Sequence, residues 1–155
     1  MTQAEKLVEL LKAAGLTCAT AESCTGGMAG AAITAVPGSS EVYLGGVVSY
    51  ANSVKEGALG VSRETLETVG AVSAECAVEM AEGVRRLTRA DIAVSITGIA
   101  GPGGGSDEKP VGLVWFGRAT AEGTISEKAI FPGSRDEVRS AAVRHALGLI
   151  AAAAV

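Results

Sequence analysis

Two nucleophilic side chains, Ser23 and Cys24, stand side by side in the run TAESCTGGMAG, between an acid and a pair of glycines. A hydroxyl or thiol placed where a strand turns into a helix can attack a carbonyl carbon. The backbone amides of Cys24, Thr25, Gly26 and Gly27 would then be candidate donors to the resulting oxyanion. Two glycines also let a substrate approach the backbone closely. A plainer reading stands beside this one. A serine ahead of a helix accepts a hydrogen bond from an unpaired amide and contributes about 1 kcal/mol as an N-cap. These residues alone leave both readings open. A thiolate at Cys24 would need a cationic neighbour, and a small buried residue is the alternative.

A serine hydroxyl needs a base. The one histidine, His145, falls inside a C-terminal helical pattern and reads as a surface residue, so no Ser-His-Asp triad is expected. Lysine also activates serine once burial or a nearby cation lowers its pKa. Lys6, Lys12 and Lys128 read as surface charges, and Lys109 lies among glycines. Lys55 follows GGVVSY in a small, apolar segment, which suits either a solvated charge or a base. Tyr50, five residues earlier, could share the site through its hydroxyl or cover the core.

TGIAGPGGGSDEKP carries neither the GK[ST] of a P-loop nor GxGxxG. It follows an apolar strand, so its amides could form a nest for an anion, with Thr97, Gly98 and Gly101 as candidate binding positions. Arg135 joins a guanidinium to a helix start, a combination suited to phosphate; an ordinary surface arginine is the other reading.

These residues need elements to position them. Thr2 and Glu5 form a capping box ahead of a helix with Leu7, Leu10, Leu11 and Ala14 on one face, closed by Gly15. Strands are expected at 16–20, 43–51 and 91–97, and a hairpin from 111 to 131 around Ala121-Glu122-Gly123. A small-residue helix is expected from Cys24 to Val36, further helices from Ser62 and Ser73, and a last one behind the capping box of Ser134 and Glu137. Strands alternating with helices, then one hairpin, imply an α/β fold: a three-layer α/β/α sandwich with a mixed, mostly parallel sheet. The expectation is a single domain over residues 1–155. Ligands of such sheets bind at the carboxyl ends of the strands, where three of the motifs should converge.

Composition excludes several classes. Only 3% of residues are aromatic and the net charge is -4, so neither base stacking nor phosphate attraction supports a nucleic-acid partner. Three cysteines without a CxxC spacing suit a reducing, cytoplasmic setting, and one histidine makes a metal site unexpected. No apolar run approaches membrane-spanning length. Alanine-rich helices offer surfaces for a homodimer or homotrimer, without identifying an interface.

Taken together, TAESCTGG, PGSS, GGVVSYANSVKEGALGV, GAVS at 70–73 and SITGIAGPGGGSDEKPVGLVWFG resemble the CinA C-terminal domain family over nearly the whole chain. The resemblance implies a five-stranded α/β/α sandwich. It also implies hydrolysis of the carboxamide of nicotinamide mononucleotide (NMN) to nicotinic acid mononucleotide and ammonia, with no cofactor and no metal. The family's nucleophilic serine falls on Ser23, its lysine base on Lys55 and the associated tyrosine on Tyr50. Longer CinA proteins carry a further N-terminal domain whose pyrophosphatase activity is not carried over to these residues. A non-catalytic nucleotide-binding or competence-associated domain is the alternative function, and another small carboxamide the alternative substrate.

Overall fold

The computed structural model describes residues Met1–Val155. Five strands form one sheet: β1 (Cys18–Glu22), β2 (Tyr43–Val48), β3 (Ile92–Gly98), β4 (Leu113–Thr120) and β5 (Gly123–Ile130). Six helices flank it: α1 (Gln3–Ala14), α2 (Met28–Thr34), α3 (Asn52–Leu59), α4 (Arg63–Thr68), α5 (Ala74–Thr88) and α6 (Arg135–Ala153), with one 3-10 turn at Ser39–Glu41. The strand order is β2-β1-β3-β4-β5; β1 is parallel to both β2 and β3, while β4 runs against β3 and β5. Four of the five strands therefore share one direction, giving the mixed, mostly parallel sheet that the alternation of elements implies.

Period-two alternation divides the core. Val94, Ile96, Val114 and Phe116 turn to one face and meet Leu7, Leu11, Ile33, Val138 and Ile150 from α1, α2 and α6. Ala19, Ala21 and Ala93 turn to the other and meet Leu59, Met80 and Val84 from α3 and α5. Each large apolar side chain buried here contributes about 1.5–3 kcal/mol. Small residues bring the second layer close. At Gly117 an added Cβ would strike the Ala77 carbonyl, and at Gly83 it would strike the carbonyl of Leu59 at the end of α3.

Several boundaries differ from the sequence expectation, among them the end of β2 at Val48 rather than 51, and two of them shape the turn that carries Ser23. β1 continues past Thr20 to Glu22, because Ala21 and Glu22 pair with β2 and β3 on either side. α2 begins at Met28 rather than Cys24, since Ser23–Gly27 form a turn in which Gly26 and Gly27 take positive φ. Ser23 is therefore not an N-cap; Gly27 occupies that position and offers no side chain. The box at Ser134 and Glu137 closes in both directions, whereas at α1 Thr2 accepts from the Glu5 N–H. No helix is long and apolar enough to cross a membrane.

Candidate active site

Parallel pairing brings the ends of three strands together. Glu22 stands opposite Val48 on one side and Ile96 on the other. The ladder runs one step further, with the Ser23 N–H donating to the Ile96 carbonyl at 2.9 Å and the Ser49 N–H to the Glu22 carbonyl at 2.8 Å. Ser23, Ser49 and Thr97 are thus neighbours at the carboxyl edge, as the fold rule requires.

Lys55 reaches this edge from the first turn of α3. Its side chain is 1% exposed. Nζ lies 3.1 Å from Ser23 Oγ and donates to the carbonyls of Ser49 at 2.8 Å and Tyr50 at 3.0 Å. Burial holds its pKa below the ordinary lysine value of 10.5, with the Cys76 and Cys24 thiols opposing that shift. The solvated-surface reading of Lys55 is therefore excluded. Two carbonyls and one hydroxyl match the three tetrahedral positions of an amine. With Nζ neutral, two N–H bonds serve the carbonyls and the lone pair meets the Ser23 hydroxyl.

A cavity of about 290 Å³ opens onto the pair. Cys24, Tyr50, Thr97, Gly98, Gly101 and Arg135 all line it, together with Asn52 and Val72. None of its fifteen lining residues is acidic, and Arg135 gives it a permanent positive charge. Arg135 Nη1 donates to the Gly101 carbonyl at 2.9 Å, fastening the glycine loop over the cavity. Thr97 Oγ1 donates to the Ala71 carbonyl at 2.9 Å, and Lys109 Nζ to that of Val69 at 2.6 Å. No group of three His, Cys, Asp or Glu side chains converges as a metal site.

Several expectations need correction. Thr25, Gly26 and Gly27 do not line the cavity, and the Gly26 N–H is already given to the Ser23 carbonyl at 3.1 Å. The start of α2 is not free to receive an oxyanion either. Glu22, 2% exposed, accepts from the N–H of Ala29 at 2.9 Å, the N–H of Gly30 at 3.1 Å and the Thr25 hydroxyl at 2.6 Å. Its carboxylate occupies the positive end of the helix. Tyr50 is 65% exposed, and its carbonyl rather than its hydroxyl contacts Lys55. Burial pushes the Cys24 thiol up to about 11, against weaker opposing effects that include Arg139, so it stays protonated at neutral pH. His145 is half-buried between α6 and the hairpin, with Nε2 2.5 Å from Glu127 Oε1, and does not line the cavity.

Two residues of this region escaped the sequence reading. Glu22 gave no signal of its own, because Ser23 stood as the expected cap; only with α2 starting behind Gly27, which has no side chain to offer, is a cap needed from elsewhere. Arg139 donates to the carbonyls of Cys24 and Thr25 from 115 and 114 residues away. It follows Arg135 by four positions, so both lie on one face of α6.

Fold and geometry together define an α/β/α sandwich with a buried serine–lysine contact at the carboxyl edge of its parallel strands. The chain belongs to the CinA C-terminal domain family, whose model matches residues 1–154. It is 51% identical over 148 residues to the nicotinamide-nucleotide amidohydrolase PncC of Escherichia coli (strain K12), covering 95% of this chain and 90% of that protein. It is 52% identical over 146 residues to a protein of Caldanaerobacter subterraneus subsp. tengcongensis named for competence-damage induction. That match covers 94% of this chain and 35% of the relative, so the chain spans about a third of the competence-named proteins it resembles. Among solved structures, the competence/damage inducible protein CihA of Agrobacterium tumefaciens aligns with a TM-score of 0.92 at 44% identity, covering 98% and 96% of the two chains. A CinA superfamily protein of Klebsiella pneumoniae aligns at 0.94 with 37% identity, covering 98% and 95%.

Proposed function

We propose that this chain hydrolyses the carboxamide of nicotinamide mononucleotide, giving nicotinic acid mononucleotide and ammonia, with Ser23 as nucleophile and Lys55 as its base. The observation that carries the reading is the 3.1 Å approach of the buried Lys55 amine to the Ser23 hydroxyl. The similarity to a nicotinamide-nucleotide amidohydrolase along most of both chains supports the substrate.

Each proton has a place in this scheme. Neutral Lys55 takes the Ser23 proton as Oγ bonds to the amide carbon, and the carbonyl oxygen becomes an oxyanion. The oxyanion collapses, the C–N bond breaks, and ammonia leaves with the proton returned by Lys55. A nicotinoyl ester remains on Ser23. Water then attacks the ester, and Lys55 receives one of its protons and passes it to Ser23 as the second collapse breaks the ester bond. The acid formed gives its remaining proton to solvent to become the carboxylate. The exposed Tyr50 hydroxyl has no step here. Burial shifts Lys55 toward the neutral amine that this step requires, and a cationic pyridinium ring nearby disfavours the ammonium further. Arg135 supplies the positive charge that an anionic phosphate requires, at a helix start.

Ammonia release from the nucleotide is the test. Ser23→Ala and Lys55→Ala should each lose activity by about 10³-fold or more while remaining folded, and chelators should have no effect. Retained turnover in Ser23→Ala overturns the mechanism. Calorimetric binding of the nucleotide by the unaltered protein, without turnover, would instead favour a nucleotide-binding domain.

A further inference from the structure

Lys55 is a buried amine without a counter-ion. Its three polar contacts, the carbonyls of Ser49 and Tyr50 and the Ser23 hydroxyl, are all uncharged. The ion pairs of the chain join Lys12 to Glu41, Arg63 to Glu56 and His145 to Glu127, and none reaches it. The elements packed around it do carry acids, but each is turned elsewhere. Glu22 of β1 serves the start of α2. Glu56, the next residue of α3, pairs with Arg63 at 3.1 Å. Glu79 of α5 accepts from the Ser62 N–H at 2.8 Å and from the Thr65 hydroxyl. The other titratable groups around the amine are the Cys24 and Cys76 thiols, Tyr50, Lys109 and Arg135. Burial pushes both thiols up to about 11, so they stay protonated at neutral pH.

Charge decides how such a site treats a ring. A carboxylate on the cavity wall would attract a cationic ring, but it would equally hold Lys55 as the ammonium. The acid-free lining does neither. With the carboxamide carbon against Ser23 Oγ, the nitrogen of a pyridinium comes within about 6 Å of Nζ, where a like charge moves a pKa by about one to three units. No wall group of opposite sign offsets that repulsion. An anionic phosphate at Arg135 would hold the ring in place in spite of it.

We infer that the substrate's own ring cation drives the proton off Lys55, so that the site acts on carboxamides of quaternised pyridines and spares uncharged rings of the same shape. The inference rests on the Ser23–Lys55 reading above. It assigns specificity to charge rather than outline. The reduced, dihydropyridine form of the nucleotide, or a benzene ring in place of the pyridinium, enters the cavity without freeing the base.

Proton release on binding tests it, in the Ser23→Ala variant, where no turnover intervenes. Calorimetry in buffers of differing ionisation heat counts the protons. The uncharged comparison is the benzamide C-nucleotide, which carries the same sugar and phosphate. Between neutral pH and about 10, nicotinamide mononucleotide should release up to one proton more per site than this counterpart. Adding Lys55→Met should remove the difference. Equal counts for the two ligands, or a difference that survives Lys55→Met, overturns the inference. Should binding to Ser23→Ala be too weak to count, the kinetics of the unaltered protein decide. The acid limb of kcat, which reports the complex, should lie about one pH unit or more below that of kcat/KM, which reports the free protein. Asn52→Asp, which puts a carboxylate on the exposed rim of the cavity, should raise the kcat limb again. Coincident limbs overturn the inference. Ammonia release surviving in Ser23→Ala removes the underlying reading; an inactive Ser23→Ala with equal proton counts removes only this inference.

Discussion

The turn after β1 and the loop after β3 leave the sheet side by side, both rich in glycine, and they are built in opposite ways. Residues 23–27 are held at nearly every step: Gly26 to Ser23, Met28 to Thr25, Arg139 to two carbonyls, and Glu22 to three donors. Residues 102–108 are exposed, and the loop is fastened mainly near its ends, by Arg135 at Gly101, by Gly112 to Ile99 and by Lys109 at Val69. A nucleophile must be placed to within a fraction of an ångström, whereas a ligand's charged arm can be met by a surface that adjusts. Changes to the turn should therefore act on kcat, and changes to the loop on KM.

The largest effect expected from breaking this contrast is at the base. Lys55→Met should abolish ammonia release by about 10³-fold or more and change how stability depends on pH. A lysine whose folded pKa lies below its unfolded value binds fewer protons folded than unfolded across that interval, so stability rises with pH through it. Urea unfolding between neutral pH and about 10 should show that rise in the unaltered protein relative to Lys55→Met. Next is Glu22→Gln, which puts an amide where three donors expect a carboxylate. It should cost about 2 kcal/mol in equilibrium unfolding and lower kcat together with stability. On the loop side, Arg135→Ala should raise KM about ten-fold, the size of one charge-assisted contact, with kcat held. The smallest effect is at Gly103, where an added methyl meets nothing within 4 Å and φ is not positive. Gly103→Ala should leave kcat and melting temperature unchanged and, as Gly103 lines the cavity, confine any effect to a small change in KM. Gly101→Ala, at φ +83° and against Val111, should not be neutral.

What could be read from the sequence was local or patterned. Ser62, Ser73 and Ser134 cap the helices they precede because the acceptor and its amide lie three residues apart. The hairpin was legible from two β-rich runs around a short polar turn. Ser23 and Lys55, 32 residues apart, could be named as chemistry-bearing types, but residue patterns left each with a bland alternative; the family resemblance paired them. Glu22 and Arg139 stayed hidden for a physical reason. An acid beside a serine and an arginine on a helix read as solvated charges, and only the folded chain sets one under α2 and the other over the turn.

Gly83 gives the site a dimension that no polar contact supplies. Because α5 has no side chain there, α3 can rest its last carbonyl directly on the helix surface. α3 is only eight residues long, with Lys55 buried in its first half and Leu59 at its end, so a displacement of one end is carried to the other as by a short lever. A single methyl group inserted at Gly83 would prop up the far end of that lever and tilt the amine away from the hydroxyl it must touch. The reach of the base is thus gauged by a missing atom on a different helix, 28 residues further along the chain.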